Sequence, residues 1–391
     1  MKNRIKALAQ AYAPAFTAIR RHIHSHPELS FEEYETSRFI QEKLTEFGVP
    51  FKAGIAGTGV IALIEGKNPA SKIIALRADI DALPITEAND VPYKSLRTGV
   101  MHACGHDVHT TCVLGAAKIL HELRDEFEGT VKILFQPGEE KHPGGASIMI
   151  EEGALENPRP DAILGMHVQP TMEAGKLGFR GGKYMASADE IYITIKGKGG
   201  HAATPHLTVD TILVASQLVV SLQQVISRNN NPFSPSVLSI CAFNGGFTTN
   251  VIPSEVKLMG TFRAMDETWR FKAHELIRKQ AVGIAEAMGA EIDIEILVGY
   301  PTLYNNEDVT AKARGLAEDY LGLANVEDTE LRMGAEDFAF YSQQVPACFF
   351  RLGTGNVARG ITSGVHTPTF DIDESAIEVG MGTMAYLATQ F

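Results

Sequence analysis

Residues 130–140 read "TVKILFQPGEE". An apolar run is stopped by Pro137-Gly138 and followed at once by two carboxylates, Glu139 and Glu140. A short unalternating apolar run is the pattern of a strand buried on both faces. In α/β proteins the ground just beyond the carboxyl end of such a strand is where binding sites are built. Working outward, "HTTCVLGAAKILHELRDEF" (109–127) reads as a helix lying between this strand and the earlier apolar runs "GVIALIEG" (59–66) and "KIIALRADID" (72–81). "DAILGMHV" (161–168) is a further strand, and "ETSRFIQEKLTEFG" (35–48) has a helical period ending on a glycine stop. Helices layered on a sheet are expected.

Residues 183–298 carry a different order. "ADEIYITIKG", "SVLSICAF", "EVKLMGTFRA" and "EIDIEIL" read as strands, and the stretches 209–228 and 267–289 as helices. The order β-α-β-β-α-β is that of a ferredoxin-like split unit. The expected fold class is therefore α/β: a mixed-sheet domain of 1–182 plus 299–391, interrupted by an inserted ferredoxin-like α+β domain at 183–298. The helices and strands after 300 would complete the first sheet. "GTGVIA" (57–62), with Asp79 about 20 residues on, mimics a dinucleotide fingerprint. It runs into a β-branched strand where that motif needs a helix, so it reads as a glycine turn.

Of 391 residues, 35 are Lys or Arg and 47 are Asp or Glu, a formal charge of −12. That balance argues against a nucleic-acid or anionic-membrane partner. No apolar run reaches membrane-spanning length, and the first residues read as an amphipathic helix, not a secretory signal. Four scattered cysteines make no disulfide framework, so a reducing cytoplasm is the expected setting. Cys112, Cys241 and Cys348 sit among apolar neighbours and read as small core residues.

The remaining cysteine stands in "MHACGHDVH" (101–109). If this stretch is extended, Cys104 and His106 face the same side and can grip one ion or an ion pair. A thiolate beside an imidazole suits zinc or a similar borderline ion. His109 reads as the start of the next helix, facing outward. Glu139 and Glu140, His167 in "ILGMHVQP" and His366 in "GVHTPTF" add further donors. Each alone has an ordinary structural explanation. Together, three of them at strand ends of one core, they point to a metal centre.

Eight stretches then occur in order: "HPELSFEEYET", "RADIDALPI", "HACGHDVHTT", "FQPGEE", "GKGGHAATPH", "NVIPSEVKLMGTFR", "MGAEDFAFY" and "GVHTPTF". Over nearly the whole chain this resembles the M20 metallopeptidase/amidohydrolase family. The resemblance is to its subgroup of hippurate hydrolases, N-acyl-amino-acid amidohydrolases and auxin-conjugate hydrolases. It implies a di-metal hydrolase with two divalent ions per subunit (zinc, manganese, cobalt or nickel), held by Cys104, His106, Glu140, His167 and His366. Cys104 falls where many relatives use a bridging aspartate. Asp79 falls where they place a histidine ligand, and its role stays open, while Asp81 would orient a ligand from behind. Glu139 would be the general base and acid for attack by a hydroxide bridging the metals.

The resemblance also assigns His201 to the oxyanion, reaching a partner subunit's site as the inserted domain closes as a lid. Asn250, Arg263 and Glu336 would contact substrate. It implies a cytoplasmic homodimer, formed through the lid domain, that removes an acyl group from an N-acyl-amino acid. The rival readings are a dipeptidase or aminopeptidase of the same family and a non-catalytic metal-binding protein. The subgroup reads "FQPAEEG" where this chain has "FQPGEEKHP". Gly138 looks like a small change, and Lys141 and His142 would sit near the metal mouth.

Overall fold

In the computed structural model, which describes all 391 residues, "TVKILFQ" forms a strand whose seven residues are all buried. In chain order the first elements are α1 (Lys2–Ser25), α2 (Tyr34–Phe47), β1 (Phe51–Ile55), β2 (Gly59–Glu65), β3 (Ile73–Asp79), α3 (His106–Glu122), β4 (Thr130–Gln136), α4 (Gly145–Glu151), β5 (Ala162–Glu173) and β6 (Leu177–Phe179). Next come β7 (Gly182–Met185), β8 (Asp189–Lys196), β9 (Gly200–His201), α5 (Thr211–Gln224), β10 (Ser236–Asn244), β11 (Val251–Ile252), β12 (Glu255–Ala264), α6 (Glu267–Ala287) and β13 (Glu291–Val298). The chain ends with β14 (Leu303–Asn305), α7 (Glu307–Leu321), β15 (Val326–Asp328), α8 (Ala339–Ser342), β16 (Ala347–Gly355) and α9 (Ser375–Gln390).

Two compact units result. One comprises Met1–Gly182, Tyr304–Glu330 and Asp337–Phe391; the other comprises Lys183–Leu303 and Leu331–Glu336. The first holds an eight-stranded mixed sheet in the order β1-β2-β4-β3-β5-β16-β6-β15. Its centre is parallel, β4 to β3 to β5 to β16; β1-β2, β2-β4 and β16-β6 are antiparallel, and β6 pairs β15 in parallel at the far edge. Strands covered on both sides lose the alternation of half-buried ones, and β16, like β4, is buried throughout. Helices α1, α3 and α9 pack on one another, and α3 and α9 pack on β3. Buried from His106 through Ala117, α3 is covered around most of its circumference, by polar residues in its first turns and apolar ones after them.

The second unit is a four-stranded antiparallel sheet, β10-β12-β8-β13, with α5 and α6 against it. Counted within the unit this is strand order 2-3-1-4, the ferredoxin-like arrangement. Along β8, Ile191, Ile193 and Ile195 turn to the helices while Glu190, Tyr192 and Lys196 face out. Asp210 and Asp266 cap α5 and α6, accepting the N–H groups of Leu213 and Trp269. No helix of the chain is long and apolar enough to cross a membrane.

Three details differ from expectation. Helix α3 begins at His106, three residues earlier than the apolar pattern suggests. Strand β5 continues to Glu173, so His167 lies within it and not at its end. Cys241 is exposed on β10, an edge strand, where its apolar neighbours in sequence do not cover it.

Candidate metal centre

The chain leaves β4 at Gln136, turns through Pro137-Gly138 and presents Glu139 and Glu140. Beside it, β3 ends at Asp79 and leads to Asp81, which is buried. The 101–105 stretch does not stay extended up to His106: Met101 bridges Leu83, but the chain bends at Cys104 and Gly105. Gly105 takes a left-handed turn (φ 87°) directly before α3. This places Cys104 on the approach and His106 on the first helical position. A Cβ at Gly105 would lie 2.5 Å from Val168 Cγ2, so both the turn and the close approach of β5 require glycine. The loop carrying His366 is tied in by its own N–H, which donates to the Ala103 carbonyl at 2.7 Å.

These elements bring Cys104, His106, Glu139, Glu140, His167 and His366 into one cluster. Cys104 Sγ lies 3.4 Å from His167 Nε2 and 3.3 Å from His366 Nε2. His366 Nε2 is 3.1 Å from Glu140 Oε1. His106 Nε2 stands 3.9 Å from Glu139 Oε2 and 4.0 Å from Glu140 Oε1. Asp81 Oδ1 accepts a hydrogen bond from His106 Nδ1 at 3.0 Å, which leaves Nε2 to face the cluster.

The donors fit divalent cations. Sulfur and imidazole nitrogen on one zinc-like ion, at about 2.3 and 2.1 Å, lie about 3.6 Å apart at a tetrahedral angle; the two Cys104–histidine separations, 3.4 and 3.3 Å, fall slightly inside this, at an angle of about 100°. Buried His106 Nε2 and Glu140 Oε1 have no hydrogen-bond partner, the short His366 contact having the wrong direction for one. Orphaned buried acceptors are costly, and a cation satisfies both. Burial and the carboxylates of Glu140, Glu139 and Asp79 push the Cys104 thiol well above its usual range. Only a cation makes a thiolate favourable there. Burial, with Arg351 and His109 nearby, holds His167 well below the usual histidine range, in the neutral form a ligand needs. With no cation beside it, burial opposes charge on His106, but Asp79 and Asp81 outweigh it and lift the ring to about 10; a cation at Nε2 would take the place of that proton, so metal binding here releases it.

Asp79 and His109 also approach His106. Both His109 nitrogens are already engaged, however. Nδ1 donates to Asp79 Oδ1 at 2.6 Å, and Nε2 accepts the Val168 N–H at 2.9 Å. The second Asp79 oxygen accepts from Arg77 at 2.6 Å. Arg77, Asp79 and His109 thus brace β5 at the residue next to His167. The expectation that His109 faces outward is wrong: it is buried on α3, because the helix starts early enough to turn it toward β3. Nothing in the local sequence distinguishes a bracing histidine from a ligand or a surface one.

Gly138 is not a small change either. It sits at φ 61°, and a Cβ there would fall 2.4 Å from the Phe31 ring. Behind it, buried Glu33 accepts the Gly138 N–H; burial and nearby Asp81 raise its carboxyl to about 7. Lys141 and His142 are exposed.

His201, Asn250, Arg263 and Glu336 belong to the second unit. His201 on β9 pairs with Val251 on β11, and the Ala202 N–H donates to the Asn250 carbonyl, so His201 and Asn250 are neighbours on an exposed edge. Arg263 is half-buried on β12 with Nε donating to Thr261 Oγ1, and Glu336 is buried.

Residues 75–390 match the model of peptidase family M20/M25/M40. N-acetyl-L-cysteine deacetylase of Bacillus subtilis is 41% identical over 92% of this chain and 84% of that protein. An IAA-amino acid hydrolase of Arabidopsis thaliana, ILR1-like 5, is 40% identical over 95% of this chain and 86% of that one. A dinuclear metal-binding M20 peptidase of Bacillus subtilis superposes with a TM-score of 0.84 at 36% identity, covering 97% and 98% of the two chains. The chain belongs to peptidase family M20/M25/M40. Within it, the chain is a metal-dependent amidohydrolase, and its donor clusters support two divalent ions.

Proposed function

We propose that the chain hydrolyses the amide bond of N-acyl-amino acids, with Glu139 moving the proton. The observation that carries this is the pairing of neighbouring carboxylates at the end of β4. Glu140 Oε1 is an orphan acceptor beside His366, and Glu139 is buried next to the same donors. Cys104, His106, Glu140, His167 and His366 would hold two ions of zinc, manganese, cobalt or nickel. When bound, such a pair lowers the pKa of water and polarises the scissile carbonyl.

The protein's own groups supply the rest. Glu139 Oε2 takes the proton of the attacking water and returns it to the leaving amine, whose departure as an anion is otherwise prohibitive. Asp81 keeps His106 in the tautomer that faces Glu139 and Glu140. From the second unit, Asn250 contacts the substrate carbonyl, and His201 of the partner subunit donates to the developing oxyanion. Arg263 clamps the substrate carboxylate with a planar pair of N–H donors, and Glu336 lines the pocket. A homodimer through this unit is supported by the unpaired edge of β10 and by Leu213 and Val220, exposed on α5. The N-acyl-amino-acid class is supported by two relatives whose names join an acyl group to an amino acid.

The test is a substrate panel of N-acetyl-, N-benzoyl- and indole-3-acetyl-amino acids and dipeptides, run after chelation and reloading with each metal. Glu139→Gln should keep both ions and lose turnover by about 10²–10⁴-fold. An active Glu139→Gln, or cleavage of dipeptides alone, would overturn the reading.

A further inference from the structure

We infer that the turn Ser30–Glu33 is a positioning element for the loop carrying Glu139. This deepens the proposed function and rests on Glu139 as the base. The two backbone N–H groups flanking Glu139, those of Gly138 and Glu140, are each held by a buried carboxylate. Glu33 Oε1 accepts the Gly138 N–H at 2.8 Å and the Phe31 N–H at 2.9 Å, and Oε2 accepts the Thr58 hydroxyl at 2.7 Å. Asp81 Oδ2 accepts the Glu140 N–H at 3.0 Å and the Ser30 hydroxyl at 2.6 Å. Ser30 and Glu33 are both buried. One residue of the turn therefore binds the loop directly, and another holds the aspartate that binds it.

Between them, Phe31 lays its ring over Gly138. Both backbones are left-handed, at φ 68° and 61°. The ring fills the space that an alanine methyl at position 138 would need, with Cζ 2.4 Å from the ideal Cβ. The base of the turn is itself anchored. The Ala82 N–H donates to the Glu28 carbonyl at 2.7 Å, and the Glu28 side chain accepts the N–H and hydroxyl of Thr36. A loop that must place a proton acceptor within a fraction of an ångström is thus held against a preformed shelf instead of by its own two-residue turn. Phe31 and Gly138 act as one fitted pair.

The test is a double-mutant cycle on the metal-loaded enzyme with Gly138→Ala, Phe31→Ala and the double variant. Gly138→Ala installs the subgroup's residue but, against this chain's left-handed turn and the Phe31 ring, should lower kcat about 100-fold, the size of effect an ångström-scale misplacement produces, with KM changed by less than about twofold. Removing the ring in the double variant should recover at least about tenfold of that loss. Separately, Glu33→Ala should lower kcat while two ions remain bound. Glu33→Gln should restore it, since its amide oxygen still accepts from Gly138 and its NH₂ can donate to Thr58. Additive effects in the cycle, or a Glu33→Ala enzyme with unchanged kcat, would overturn the inference; so would metal loss in step with activity. Glu139→Gln run alongside separates the two ideas. If that variant is active, the base assignment fails; if it is inactive and the cycle is additive, the shelf fails alone.

Discussion

Asp107→Asn tests how the start of α3, and with it His106, is held. Asp107 follows His106 in the first helical turn and is fully buried. Its Oδ2 accepts from Arg20 Nε at 2.7 Å and from His24 Nδ1 at 2.8 Å. Arg20 is equally buried, and its other acidic contacts, Asp371 at 3.1 Å and Glu374 at 3.6 Å, are partly exposed. Breaking a buried pair by neutralising one partner costs about 3–5 kcal/mol, because the other charge is left in low dielectric. Since Asp371 and Glu374 still face Arg20 and asparagine keeps one acceptor, the lower end, about 3 kcal/mol, is expected.

The dependence on pH has a definite sign. Burial alone would raise the Asp107 carboxyl, but Arg20 and His24 outweigh it and hold it well below the usual carboxylate range. The unfolded chain takes up a proton near pH 3.9, which the folded chain refuses until lower pH. The stabilisation is therefore whole above about pH 4 and shrinks as pH falls below it. Urea unfolding of the metal-free protein, followed by far-UV circular dichroism, should show the mutant less stable at pH 6 and the gap narrowing below pH 4. The only tryptophan, Trp269, is on α6 of the second unit, so its fluorescence offers a separate view of that unit. An unchanged circular dichroism midpoint at pH 6, or a gap independent of pH, would refute the argument.

Gly105→Ala forces a Cβ into a left-handed position against Val168, so stability should fall by about 1–3 kcal/mol; a calorimetric scan of the apo protein measures it. The same variant should bind its metals more weakly by chelator competition, because Cys104 and His106 flank the strained residue. Stripping metal from the wild type should lower its melting temperature, and two equivalents of divalent ion should restore it. The stabilisation is about 2.7 kcal/mol for each ion when free metal is at 100 times its Kd.

The fold was legible where periodicity is local. Unbroken apolar runs marked β3, β4 and β5, alternation and helical spacing marked the second unit's order, and Gly48 ended α2 with a left-handed residue as a glycine stop should. Errors fell where contact, not period, decides. Local pattern reads His109 as an outward helix start, Cys241 as core and Gly138 as a small change. Each depends on what a distant segment lays against it: Asp79 and Val168 for His109, an edge position for Cys241, Phe31 for Gly138.

Residue types and collinear motifs, by themselves, determined the class of protein and the stock of donors, since ligand chemistry is a property of side chains. Only tertiary structure decided the site. Cys104 and His366 are 262 positions apart and 3.3 Å in space, an approach no local pattern encodes. It also decided which histidines carry a lone pair toward the cluster and which are consumed in bracing. That division depends on hydrogen bonds between segments, and a one-dimensional pattern records neither their direction nor their partner.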